Sequence, residues 1–209
     1  ISYGSSGTLS GNTVTGVEYP GTDWAGTGIL LMESGDITVT GGAVIGCEVG
    51  ISHVQWNWVY TPAVTPVVVF DGVDLLYNQW AAETHLGASG ATLDLEIKNC
   101  SILSSTYVGV ELWGSNADPY YGLYDGWTNG TLDANIHDNT ITDGQVGVEQ
   151  YIELTTGNTV NCSINGNNLA DNTAYGVYND FPGLADATGN WWGDPAGPVV
   201  STARSAAGS

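Results

Sequence analysis

Basic side chains are almost missing from this sequence. Across 209 residues there are 2 Lys+Arg, Lys98 and Arg204, against 22 Asp+Glu, giving a formal net charge of -20. Nucleic-acid binding rests on Lys and Arg neutralising phosphates, and adhesion to an anionic membrane surface rests on the same groups. Both partners are excluded, and so are arginine clamps for phosphate or carboxylate substrates. Charge of either sign is scarce, at 11% of residues against about 25% in ordinary soluble domains. Ser, Thr, Asn and Gly must therefore cover the surface. No apolar run approaches the roughly 18 residues of a membrane span, so membrane insertion is not expected. Without a signal-like stretch after Ile1, the chain reads as a processed mature chain or a fragment. Cysteine is limited to Cys47, Cys100 and Cys162, an odd number without CxxC spacing. That argues against a zinc site and leaves open one disulfide with a free thiol, or an intermolecular bridge.

What is present is material for a core and a repeat. Hydrophobic residues make up 42% of the chain, with 8 Trp and 11 Tyr but 2 Phe. Helical periodicity is nearly absent, while short β-branched runs alternate with Gly, Asn and Thr. One pattern returns five times: an apolar anchor, two turn-prone residues, then an apolar residue five positions after the anchor. Leu9, Val39, Ile97, Ile136 and Ile164 are the anchors, with Val14, Val44, Ile102, Ile141 and Leu169 as their partners. A Gly-apolar pair follows each copy: Gly28-Ile29, Gly50-Ile51, Gly109-Val110, Gly147-Val148 and Gly176-Val177. Alternation along a strand makes Ile37, Leu95, Ala134 and Cys162, two residues before their anchors, inward as well. Anchor spacings of 30, 58, 39 and 28 lie around the period of a solenoid. The long gap is expected to hide a further coil around Pro66-Val67-Val68-Val69-Phe70.

The expected fold is all-β, a right-handed parallel β-helix with loop excursions, preferred over a β-sandwich because the corner spacing repeats. A single β-helix domain is expected over 1–198, with excursions about 54–90 and 114–130, and a Ser/Ala/Gly-rich tail over 199–209. Asn12, Asn139 and Asn167 share one corner position. Stacked about 4.8 Å apart, they would form an amide ladder, interrupted by Gly42 and Cys100.

These repeats resemble those of right-handed parallel β-helix proteins, the pectate-lyase-like group that includes NosD-like repeats. The stretch Gly189-Asn190-Trp191-Trp192-Gly193-Asp194-Pro195-Ala196-Gly197-Pro198 is similar to a segment that closes β-helical domains of secreted and cell-surface proteins. The resemblance implies the fold and an extracellular setting; it implies no single activity, because one fold hosts many.

Candidate chemistry is sparse. Family members that cleave acidic polysaccharides use Arg or Lys with calcium held by Asp. Here Lys98 is expected in a solvated ion pair with Glu96, and a chain of charge -20 would repel a polyanion. Glu111 and Glu149 follow two Gly-apolar pairs and fall about 5 Å apart if their coils are neighbours, near the carboxyl separation of retaining glycosidases. Trp113, Tyr151 and Tyr178 lie beside them as rings that could stack on sugars. Asp133, Asp138 and Asp143 flank one corner, and calcium is the ion such oxygen ligands suit; no cofactor is required. His53, His85 and His137 sit in separate segments and are expected to be structural or exposed. Asn99, Asn129 and Asn161 head sequons for N-glycosylation.

Trp56, Trp58, Tyr60, Tyr120, Tyr121 and Trp127 cluster in the excursions, and aromatic loop residues dominate binding hot spots. With few basic catalytic groups and coil ends that invite strand addition, the first functional expectation is structural. The chain would be an extracellular protein assembling with copies of itself into a cell-surface layer, sheath or filament. The alternative expectation is a β-helix protein that binds or degrades carbohydrate, with a cell-surface glycan as partner.

Overall fold

A computed structural model of the chain describes residues 1, 4–21, 25–56, 64–114, 127–152, 157–180 and 185–198. Its strands fall into six successive rungs. The first is β1 (Gly7–Ser10), β2 (Thr13–Thr15) and β3 (Thr27–Met32). The second is β4 (Ile37–Thr40), β5 (Ala43–Ile45) and β6 (Val49–Gln55), and the third is β7 (Val67–Asp71), β8 (Asp74–Leu76) and β9 (Trp80–Leu86). The fourth is β10 (Thr92–Lys98), β11 (Ser101–Leu103) and β12 (Val108–Gly114), and the fifth is β13 (Thr131–His137), β14 (Thr140–Thr142) and β15 (Val146–Ile152). The sixth keeps β16 (Thr159–Asn165) and β17 (Tyr175–Asn179). Its middle strand is reduced to bridges at Asn168, which pairs with Thr140 and with Trp191.

Like strands of successive rungs stack into three sheets, β1-β4-β7-β10-β13-β16, β2-β5-β8-β11-β14 and β3-β6-β9-β12-β15-β17. Every pairing is parallel. The chain is an all-β protein, a parallel β-helix. Among the described residues no helix is long and apolar enough to cross a membrane.

The register shows why the sequence repeats. Leu9, Val39, Phe70, Ile97, Ile136 and Ile164 form one aligned row, and each points between the three sheets. The hidden coil begins at Val67, and Phe70 is its anchor. The expected excursion over 54–90 is therefore narrower, because Val67–Leu86 runs through three regular strands. The core fills the tube between the sheets; Phe70, Leu75, Leu95, Ile97 and Ile136 are wholly buried, each worth roughly 1.5–3 kcal/mol of burial.

A row of left-handed residues turns the corner after the first sheet. Gly11, Gly41, Gly72, Asn99, Asp138, Gly166 and Gly189 have φ between 55 and 72°, a conformation that favours Gly, Asn and Asp. A different steric demand acts at Gly109: a Cβ there would come within 2.6 Å of the Gly147 carbonyl oxygen.

The corner after the first sheet carries the amide ladder. Asn139 Nδ2 donates to the Ile97 carbonyl at 2.8 Å, and Asn139 Oδ1 accepts from the Cys100 N–H at 2.9 Å. Asn167 repeats the scheme one rung on, with the Ile136 carbonyl and the Asn139 N–H at 2.8 and 3.0 Å. Asn190, from the closing segment, adds a third step by accepting from the Asn167 N–H at 2.9 Å. Asn12 lies in the same corner row but is exposed and separated from Asn139 by Gly42, Val73 and Cys100, so the ladder does not reach it.

Trp127 departs from expectation. It is 0% exposed, and its Nε1 donates to the Ala91 carbonyl at 2.8 Å. It fills the core where the chain rejoins the coil, so it offers no surface for assembly. The three cysteines are free and buried, which removes both the disulfide and the intermolecular bridge. Burial pushes the Cys100 and Cys162 thiols up to about 11 and about 12.

Candidate functional site

The outer face of the third sheet collects the chemistry. Period-2 alternation sends every second residue of β9, β12 and β15 outward. Parallel register then aligns Ser52, Glu83, Glu111, Glu149 and Tyr178 in one row across five strands. Two residues further along lie Val54, His85, Trp113 and Tyr151. Three residues before the carboxylates, Trp80 aligns with Val108, Val146 and Tyr175. Tyr107 packs on Trp80, with ring centroids 4.6 Å apart. The carboxylates thus stand between two aromatic edges.

Glu111 and Glu149 are adjacent, as their positions after the Gly-apolar pairs implied. Glu83 and His85 were missed. Their rung has Ala81-Ala82-Glu83 where the fourth and fifth rungs have Gly-Val-Glu, so a methyl group in the glycine position disguised a further copy. His85, expected as a separate structural or exposed residue, instead meets Glu83, with Nε2 3.4 Å from Oε2. One donor atom each from Glu83, His85 and Glu111 all lie within 4.8 Å of one another.

The three groups hold their protons differently. Burial raises the Glu83 carboxyl, but hydrogen bonding and charge from His85 and a hydrogen bond from Ser52 outweigh it, leaving the carboxyl below its ordinary value. Burial lowers the His85 imidazole, yet Glu83 and the charge of Glu111 hold it above its ordinary value. Glu111 is pushed up to about 7 by burial first and then by the charges of Glu83 and Glu149, against the smaller opposing effect of His85. Glu149 is raised by burial and by Asp180. Trp113 braces His85 with ring centroids 4.8 Å apart, Tyr151 is exposed, and Tyr178 packs on Tyr175 at 5.1 Å. Beneath this face, His53 is wholly buried, and burial followed by the charge of His85 lowers its imidazole to about 4.

The remaining candidates separate. Asp133, Asp138 and Asp143 do not converge: Asp133 accepts from Asn161, Asp138 from His137, and Asp143 from the Thr142 hydroxyl. Among the described residues, the mixed Glu and His trio is the set close enough to share one ion. Asp133 lines a groove of about 640 Å³ on the first sheet with Asp94, Asn135, Asn161, Ser163 and Asp186. The acid–imidazole cluster lies on the third sheet, away from this groove. Lys98 is on the first sheet too, with Nζ 2.7 Å from Glu96, while the His137 Nε2 takes the other Glu96 oxygen at 3.1 Å.

Asn99, Asn129 and Asn161 are exposed. Trp58, Tyr60, Tyr120 and Tyr121 lie outside the described residues, as does the tail over 199–209; Trp56 is half-buried. No protein-family model, no curated protein and no solved structure matches the chain. The fold defines the class, an all-β protein of three parallel sheets, and the site must be read from its own chemistry.

Proposed function

We propose that the outer face of the third sheet binds carbohydrate, and that the ligand is an uncharged glycan lying across the strands. The carrying observation is the order of side chains: Trp80, Tyr107 and Tyr175, then Glu83, Glu111 and Glu149, then Trp113 and Tyr151. Aromatic rings present flat apolar faces to the C–H faces of sugars, and carboxylates accept hydrogen bonds from hydroxyls. Three residues of strand span about 10 Å, so the rows fit different sugar units of one chain. A net charge of -20 selects against polyuronates and other polyanions. The resemblance of the repeats and of the 189–198 segment to pectate-lyase-like, NosD-like β-helices supports the reading at the level of fold and cell-surface setting.

An array of neutral and acidic glycans tests it. Wild-type protein is expected to retain neutral polysaccharides, and Trp80→Ala with Tyr107→Ala to weaken retention at least tenfold with the fold intact. Retention of acidic glycans alone, or equal retention by the double variant, would overturn it. The same soluble ligands are assayed for release of reducing ends, since two carboxyl groups of unequal acidity are what glycoside hydrolysis needs.

Self-assembly into an extracellular layer, sheath or filament is the second reading. The first rung favours it: its inward Leu9 and Val14 are half-buried where their counterparts Val39 and Val44 are 1% exposed. A second copy stacked on this end would cover them by strand addition. Electron microscopy of the native protein decides, with regular fibres or sheets expected and dispersed single particles at high concentration contradicting it.

A further inference from the structure

We infer that Glu83, His85 and Glu111 form a binding site for one first-row divalent cation of the Zn²⁺ or Mn²⁺ kind. The inference concerns the same face as the glycan reading but does not depend on it. Glu83 and His85 are two residues apart on β9 and share its outer face, while Glu111 on β12 is the direct register partner of Glu83. Parallel pairing therefore builds the triad into the sheet, without help from a loop. Donor atoms already within 4.8 Å of one another need only modest side-chain rotation to close on an ion at about 2.0–2.2 Å.

The surroundings are those of a held ligand set. The Glu83 and His85 side chains are 12% and 26% exposed, so neither waves freely in water. Ser52 hydrogen-bonds Glu83 and Trp113 packs against the His85 ring, which are the outer contacts that orient ligands. Glu111 adds a second observation. Its carboxyl makes no hydrogen bond or ion pair among the described residues, although it is half-buried beside Glu83 and in charge reach of Glu149. Among the described residues the side chain of opposite charge beside it is His85, because Lys98 is committed to Glu96 on the first sheet.

The donor set selects the ion. One imidazole nitrogen with two carboxylates suits zinc, manganese or ferrous iron, whereas calcium and magnesium prefer oxygen alone and more ligands. Three protein donors leave coordination positions open toward the aromatic-lined face, where water or a sugar hydroxyl would complete the shell.

Chelator-treated protein titrated calorimetrically with Zn²⁺, Mn²⁺ and Ca²⁺, in the absence of any glycan, tests the site. One equivalent of Zn²⁺ or Mn²⁺ is expected to bind at least 100-fold more tightly than Ca²⁺. Glu83→Gln, His85→Gln and Glu111→Gln are each expected to weaken it tenfold or more. His137→Gln, in the exposed Glu96 cluster, is expected to leave binding unchanged. Co²⁺ absorption in the visible range reports nitrogen-containing coordination directly, and circular dichroism confirms that each variant is folded. Multiple weak equivalents insensitive to these substitutions, or calcium bound as tightly as zinc, would overturn the inference while leaving glycan binding to its own test.

Discussion

Single side chains decide how a corner is held and how a carboxylate is charged. Asn139 makes three side-chain hydrogen bonds from a buried position, to Cys100 and Ile97 on the preceding rung and to Asn167 on the following one. Its Nδ2 and its backbone N–H both donate to the Asn167 Oδ1. Replacing Asn139 with Ala strands a buried peptide N–H at Cys100 and a carbonyl at Ile97, each costing about 1–3 kcal/mol. Asn139→Ala is thus expected to lower the unfolding free energy by roughly 2–4 kcal/mol in chemical denaturation. Asn12→Ala, at an exposed position of the same row, is expected to change it by under about 0.5 kcal/mol. Glu111 makes a pH prediction. Its folded value near 7 lies above the ordinary 4.5, so the unfolded chain releases this proton first. The stability tied to its neutral form is present below about pH 4.5 and is lost as pH rises through 7, by up to about 3 kcal/mol. Glu111→Gln should remove that decline, and a denaturation series from pH 4 to 8 measures it. In Glu83→Gln the Glu111 titration, followed by carboxyl carbon shifts, should move down toward its ordinary value.

Elements are stabilised by their place in a rung, and the rungs differ in how openly they declare it. The Gly-apolar pairs and the anchor spacing make five of the six anchors legible, because close backbone approach demands Gly at positions such as Gly109. The third rung escapes the pattern: Phe70 replaces an aliphatic anchor, and Ala81 stands in the glycine position. The sequence marks the start of that rung around Phe70 but not its third strand, so Glu83 and His85 had no visible partner, although Glu111 and Glu149 did. Trp127 was misplaced for a different reason. Its sequence neighbours are those of a surface loop, and burial depends on Ala91, 36 residues earlier, presenting a carbonyl to the indole. Trp127→Ala removes the largest wholly buried side chain and should cost about 3–5 kcal/mol. Trp127→Phe keeps most of the volume but leaves the Ala91 carbonyl unpaired, and should cost less than half as much. Thermal unfolding of the two variants separates packing from the hydrogen bond.

At the scale of the whole molecule, a coil of parallel strands offers one outer face per sheet, and the three faces are not alike. The first carries Asp, Asn and the Lys98–Glu96–His137 cluster. The second is made of strands three residues long. The third combines ring pairs, half-buried carboxylates and an imidazole. Nothing in the composition could assign chemistry to one face, because that depends on register between residues about 30 positions apart. The central claim is that this third face is where the protein meets its ligand. The indole N–H resonances of the 8 Trp residues provide a sparse map for the most direct measurement, titration with a neutral oligosaccharide retained on the array. Saturable shifts of Trp80 and Trp113, with Trp127 unmoved in the core, are the predicted result. Shifts confined to Trp191 and Trp192, or none at saturating ligand, would contradict it.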